Sequence, residues 1–562
     1  MDIIQTSTSG NPVISRYRSV NQNWNGDPAT LVFEEAEIAK ILLDLDKPVF
    51  VIDDHGRPGF TTHGRVASVL DGEHPGEPNG KEGGYPAFAA VPSLQFEHLG
   101  DPEFMAAYQT RAAYATGAMA HGIASVEMVV ALGKAGLLGS FGSAGIVPAR
   151  LEGVLQSLQS ALPDGPYAVN LIYNPNEEAL ERGAVDLLLK YGITVAEASA
   201  YLDLSPSIVY YRVAGLSLAP DGSIQVKNRI IAKLSRKELA TKFMSPAPEG
   251  LLSRLLEEKK ITPQQAELAR HVPMADDITV EADSGGHTDN RPLVSLLPTM
   301  LALRDEIQQK YQYRQRIRVG AAGGISTPNA ALAAFMMGAA YVVTGSVNQA
   351  CVEAGTSDHT RKLLAQASMA DVMMAPSADM FELGVKVQVL KSGTLFPMRA
   401  TKLYELYSRY NSIDEIPADE REKLEKQIFK RELNDIWEET ERFFMERDPA
   451  QIQRANQNPK RKMALIFRWY LGLSSRWSNS GEKGREMDYQ IWCGPSIGPF
   501  NDWTRGTYLE TPANRHVVDV ALHILTGSAY LYRIQALRLQ GIELSPTLSS
   551  YRPSSPLAGQ AG

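Results

Sequence analysis

Between residues 106 and 350 short apolar runs recur with helical stretches between them, and no other feature restricts the fold as tightly. The runs fall at 112–119, 137–141, 167–173, 193–200, 229–235, 278–283, 317–322 and 341–344. Helical patterns lie between them at 126–135, 177–191, 205–214, 236–243 and 328–337. Strands that alternate with helices pair in parallel. Eight such units predict an α/β fold of the closed (β/α)8 TIM-barrel type rather than an open doubly wound sheet.

The flanks read differently. Residues 1–105 form a small α+β unit, with strand, turn and strand over 48–60 and a Gly-, Pro- and Glu-rich loop over 71–86. Within the barrel segment, 245–277 is a long insertion after the fifth strand. It carries Pro246 and Pro248 before a helical pattern at 249–260, and is expected as a helical lid on the upper face. Residues 351–540 form a mainly helical extension, with a charged amphipathic stretch over 418–446. The Ser-, Pro- and Gly-rich tail at 541–562 is expected to be disordered.

Composition narrows the functional classes. The 562 residues are 44% hydrophobic and 21% charged, which fits a folded enzyme. A net charge of −8 argues against a nucleic-acid partner and against membrane-surface binding. The longest apolar stretch, 330–343, contains a glycine and falls short of the roughly 20 residues a spanning helix needs. No signal-peptide pattern follows Met1, and two cysteines cannot build a disulfide framework, so a cytoplasmic location is expected.

Three motifs carry chemistry. At 319–328 (VGAAGGISTP) a strand ends in Gly323 and Gly324, and a hydroxyl residue and Pro328 then open a helix. Such glycines let backbone N–H groups approach a phosphate, whose charge the helix dipole favours. Gly345 and Ser346 repeat the arrangement at the end of strand eight, and phosphate sites after strands seven and eight recur in barrels. The alternative for each is an ordinary glycine turn. At 281–287 (EADSGGH) an acidic strand ends in Gly285, Gly286 and His287. The glycines would admit a flat ligand, and the histidine would give a proton near neutral pH. Its structural alternative is a histidine tied into a turn by Asp289. At 230–234 Lys233 interrupts an apolar strand, either facing an anion or snorkelling to water.

In this order, on strands five, six and seven, these motifs resemble the nitronate monooxygenase-like FMN barrels. The stretches 281–292, 320–328, 376–399 and 494–510 resemble the PfaD-type subfamily, trans-acting enoyl reductases of polyketide and polyunsaturated-fatty-acid assembly lines. The resemblance runs from about residue 10 to 540. It implies FMN as cofactor and NADPH as electron donor. Gly323, Gly324, Gly345 and Ser346 would hold the FMN phosphate. Met119 would touch the flavin through its backbone, beside Asn170, Gly285 and Gly286. Lys233 would face the N1/O2 edge, and His287 would be the active-site histidine. The implied substrate is a 2-enoyl thioester on an acyl carrier protein of a polyketide or fatty acid synthase module, and a homodimer is compatible with it.

Other readings compete. Oxidation of nitronates by oxygen is the enzymatic alternative, and a non-catalytic scaffold subunit the other. Residues 494–498 (GPSIG) satisfy a serine-hydrolase pattern, but the flanking prolines leave no strand–turn–helix elbow. No metal-ligand spacing occurs, and Cys351 and Cys493 read as packing residues. The basic run Lys460, Arg461 and Lys462, with Arg468, reads as a solvated helix start, or else as a dock for an acidic carrier protein.

Overall fold

A computed structural model describes residues 13–15, 22–68, 84–173 and 178–558. Most of the expected 71–86 loop, the first residue of the expected 177–191 helix and the last four tail residues lie outside these. The chain divides into two compact units, neither of which follows the sequence blocks expected for domains. The larger comprises Gly100–Ser326 and Met337–Val520, the smaller Met1–Leu99, Thr327–Met336 and Ala521–Gly562.

In the larger unit eight parallel strands close into a barrel. They are β1 (Tyr114–Thr116), β2 (Leu138–Phe141), β3 (Ala168–Ile172), β4 (Val195–Ser199), β5 (Arg229–Leu234), β6 (Asp277–Glu281), β7 (Arg318–Ala322) and β8 (Val342–Thr344). Each falls in an expected run, save that β6 begins one residue early at Asp277, and β8 returns to β1 with Val343 opposite Ala115. The strands are almost wholly buried, which is why they read as apolar runs and not as alternating patterns. Hydroxyl caps start helices where the sequence places them: Ser125 Oγ accepts from Met128 N at 3.0 Å, and Ser205 Oγ from Ile208 N at 3.1 Å. At the opposite end from the strand C-termini, Arg318 grips Asp277 through two 2.7 Å hydrogen bonds, and Tyr108 donates to the same carboxylate.

The insertion at 245–277 is helical, at Glu249–Glu257 and Pro263–Ala269, but it is not an upper-face lid. The helix Lys237–Met244 precedes it, so the insertion lies on a helix-to-strand return, and such returns run at the N-terminal ends of barrel strands. Gln265 Nε2 accordingly donates to Ala214 O at 3.1 Å, behind the helix Pro206–Ala214.

The extension is less purely helical than expected. Val372–Pro376 and Lys386–Leu390 pair antiparallel, and the two-residue strand Gly286–His287 joins the second of them. The amphipathic stretch at 418–446 breaks at Lys430, whose φ is +56°. Beyond it Leu433–Arg447 and Pro459–Ser480 pack around a core that includes Phe381, Phe396, Phe429, Phe467 and Tyr470, while Pro449–Gln457 packs through Ile452 and Ala455 against Leu465.

The smaller unit holds a five-stranded antiparallel sheet in the order Arg57–Thr61, Val49–Asp54, Tyr85–Val91, Gln22–Asn25, Arg65–Ser68. Val49–Asp54 shows the period of two: Val49 and Val51 enter one core, Phe50 and Ile52 another. The first core also takes Tyr530, Ile534 and Leu537 from the long C-terminal helix. Arg533 donates to the carbonyls of Leu42, Asp44 and Lys47 at 3.0, 2.9 and 2.6 Å, covering the end of the helix Glu35–Leu43. The tail is ordered from 541 to 558, where disorder was expected: Ile542–Leu544 pairs antiparallel with Val13–Ser15, and Leu548 is buried. Backbone pairing and the buried side chains of Ile542 and Leu548 outweigh a composition poor in apolar residues.

Candidate active site

A cavity of about 560 Å³ opens where the barrel strands end. All the expected residues line it: Met119, Asn170, Lys233, Gly285, Gly286, His287, Gly323, Gly324, Gly345 and Ser346. The insertion at 245–277 contributes none of its described residues. The far wall comes instead from the helices Leu433–Arg447 and Pro459–Ser480, through residues such as Phe443, Arg468, Trp469 and Arg476.

The glycines are required by geometry. Gly323 has φ +80°, and a Cβ there would stand 2.7 Å from the Ala282 carbonyl carbon. Gly324 has φ +81°, and the space where its Cβ would be is empty; the same space is open at Gly345, whose φ is −136°. The backbone there forms an open cradle that side chains would fill, and this fits a phosphate held by main-chain groups. Gly285 meets Gly494 backbone to backbone, with each missing Cβ 2.9 Å from the other segment. Gly494 N in turn donates to Ser346 Oγ at 2.9 Å, so one segment bridges the β6 and β8 turns.

Lys233 stands between two carboxylates, 3.4 Å from Glu281 Oε1 and 3.6 Å from Glu197 Oε1. Burial opposes its charge, but Glu281 and Glu197 outweigh that and raise its pKa above the ordinary value. It faces inward and does not snorkel. Asn170 ties β3 to β4: its Nδ2 donates to Glu197 O at 2.9 Å and to Ser199 Oγ at 2.8 Å. Met119 O accepts from Ala124 N at 3.2 Å, which fixes the turn after β1.

His287 sits opposite Val387 in the short sheet above the barrel. Gln388 of the neighbouring strand donates to Asp283 Oδ1 at 2.7 Å and to Ser284 O at 2.8 Å, pinning the loop that leads to it. The partner of His287 is Asp379, 3.3 Å from Nε2. Asp289, the partner expected for a merely structural histidine, pairs instead with Arg236 at 2.9 Å and Ser235 at 2.6 Å. Burial works against the imidazolium, yet Asp379 and then Glu281 raise its pKa above the ordinary value.

Sequence reasoning missed Asp379, His121 and Trp492. No spacing rule points to any of them. His121 lies in the cavity with Nδ1 3.0 Å from Ser475 Oγ and its ring edge-on to Trp492 at 5.4 Å. Burial, with Arg476 nearby, pushes its pKa down to about 4, so it is neutral when His287 is charged.

The remaining motifs are structural. Ser496 lies directly before the helix Ile497–Thr504, without a strand leading into it. Both cysteines are buried, and burial pushes the Cys493 thiol up to about 12. Arg461 Nη2 donates to Gln451 Oε1 at 2.7 Å and Arg468 Nη1 to Glu382 Oε1 at 3.3 Å, so these basic groups are engaged within the chain.

A parallel barrel with a mainly apolar cavity that holds a few convergent charged groups at its strand C-termini has the architecture of a barrel enzyme. The chain belongs to the nitronate monooxygenase family, which it matches over residues 107–412, and its residues 24–92 match the N-terminal domain of fatty acid synthase subunit PfaD. The resemblance drawn from its motifs is thereby borne out. Residues 410–489 match the inserted helical domain of acyl-carrier-protein S-malonyltransferase. The chain is 50% identical over 504 residues to a polyunsaturated fatty acid synthase subunit of Thraustochytrium sp., covering 88% of this chain and 32% of that protein. It is 50% identical over 436 residues to polyketide biosynthesis protein PksE of Bacillus subtilis, covering 77% of this chain and 56% of that one. Among solved structures, the enoyl reductase domain of MlnA from the macrolactin cluster of Bacillus amyloliquefaciens aligns with a TM-score of 0.73 at 39% identity. That alignment covers 79% of this chain and 99% of the domain. The chain therefore spans a third to little more than half of these two curated relatives. No helix among the described residues is long and apolar enough to cross a membrane.

Proposed function

We propose that the chain is an FMN-dependent enoyl reductase that saturates 2-enoyl thioesters carried on an acyl carrier protein, in polyketide or polyunsaturated-fatty-acid synthesis, with NADPH as reductant. The observation that carries this reading is the convergence, on one cavity, of two open glycine turns, a paired buried lysine and one chargeable histidine. The likeness to the MlnA enoyl reductase domain and to synthase subunits supports the reaction and the assembly-line setting.

Gly323, Gly324, Gly345 and Ser346 would hold the flavin phosphate, and Lys233 would offset negative charge on the reduced ring. When bound there, the flavin would supply hydride chemistry, with NADPH as the source of electrons and the β-carbon of the enoyl thioester as acceptor. The displaced π pair moves toward the α-carbon and the thioester oxygen. His287 then gives its proton to the α-carbon and is left neutral, to be recharged from water. His121 cannot serve as that acid, because its environment keeps it uncharged at neutral pH. Cytoplasmic placement and a homodimer are part of the same reading.

The test is direct. The purified chain should absorb as a flavoprotein, oxidise NADPH in the presence of crotonyl-carrier protein, and use it in preference to crotonyl-coenzyme A. Nitronate turnover with oxygen and no enoyl reduction would replace this reading with the monooxygenase one. Equal use of the coenzyme A thioester would remove the carrier-protein assignment.

A further inference from the structure

Proton delivery from His287 requires that something keep an imidazole charged in a partly enclosed cavity. We propose that Asp379 is the positioning residue for His287: its carboxylate fixes the ring and holds it in the protonated form that the reaction consumes. This rests on the enoyl reductase reading for its chemistry, though the ion pair stands on its own geometry.

Three observations carry it. Asp379 Oδ1 lies 3.3 Å from His287 Nε2, close enough for an ion pair. Nε2 is otherwise buried without a hydrogen-bond partner, so the carboxylate is the group that answers its charge. The two residues are also held independently of each other. His287 is fixed by pairing with Val387, and Asp379 by the turn that links Val372–Pro376 to Lys386–Leu390. That sheet has no place in a minimal barrel. It brings a carboxylate from the extension against a residue of the β6 turn.

The other charges facing His287 are Glu281 on β6, which also favours its protonation, and Lys233 on β5, which opposes it. Glu281 and Lys233 neutralise each other across 3.4 Å, so Asp379 is the net source of the bias. On its other side Asp379 faces His121, which burial and Arg476 keep neutral. The carboxylate is correspondingly held below its ordinary range by His287, despite the opposing cost of burial. A group whose pKa is raised stays protonated to higher pH, so proton delivery should be lost only as pH rises through that raised value.

The experiment compares the full chain with Asp379→Asn and Asp379→Glu. Imidazole NMR should show the His287 midpoint falling by about one pH unit or more in Asp379→Asn, since an opposite charge at this range moves a midpoint by about 1–3 pH units. The alkaline limb of kcat/KM for crotonyl-carrier protein should move down by the same amount. At a pH above both limbs, activity would be about tenfold lower for every pH unit the limb has moved, and at lower pH nearly restored. Flavin content should be unchanged, and Asp379→Glu should return the midpoint most of the way to that of the parent. An unmoved His287 midpoint, or a loss of rate equal at every pH, would overturn the proposal. A moved midpoint in a chain that reduces no enoyl thioester would support the ion pair and overturn the reaction assigned to it.

Discussion

Among single residues, Gly324 is where the smallest change should have the largest effect. Its φ of +81° is strained for any side chain, and the space beside it is open to the cavity. Gly324→Asp would impose that strain and set a carboxylate against a phosphate, so the purified variant should be colourless. A variant retaining full flavin absorbance would move the phosphate elsewhere. Lys233 makes a different prediction. Without its ammonium, Glu197 and Glu281 would leave the floor of the cavity negative, so Lys233→Met should lower the flavin midpoint potential and slow its reduction by NADPH. Redox titration against a reference dye checks this, and an unchanged potential would confine Lys233 to pairing the two carboxylates. His287→Ala should keep its flavin and lose about 10²–10⁴-fold in turnover, the usual contribution of a placed acid.

The barrel strands are legible in sequence because parallel strands are buried on both faces, and their apolar runs need no partner information to be read. The glycine turns are legible for a similar reason: the constraint acts on the glycine itself. Asp379 was not legible. Its place depends on a strand pair, Val372–Pro376 with Lys386–Leu390, that lies inside a segment reading as helical, and on that pair capturing Gly286–His287. The insertion at 245–277 misled for a topological reason. Counting from the strand before it suggests the upper face, while counting from the helix Lys237–Met244 gives the lower one. At that lower end the first residues of β6 and β7 are joined by the Asp277–Arg318 pair, both buried. Asp277→Ala would leave a buried guanidinium unanswered and should cost about 3–5 kcal/mol of stability. Thermal unfolding should register this, and a variant as stable as the parent would show that the pair is replaceable.

The whole molecule is not built in sequence order. The smaller unit draws on both ends of the described chain and on a short stretch between, and Tyr530, Ile534 and Leu537 supply part of its core. Arg533 also closes the end of the helix Glu35–Leu43. A chain truncated after Val520 should therefore lose the fold of the sheet at 22–91, seen as rapid proteolysis there. Protection equal to that of the full chain would mean the first stretch folds alone.

The antiparallel pairing of Val13–Ser15 with Ile542–Leu544 has a further consequence. Paired strands lie about 4.8 Å apart, so this ladder knots together two stretches that the sequence sets almost a whole chain length apart.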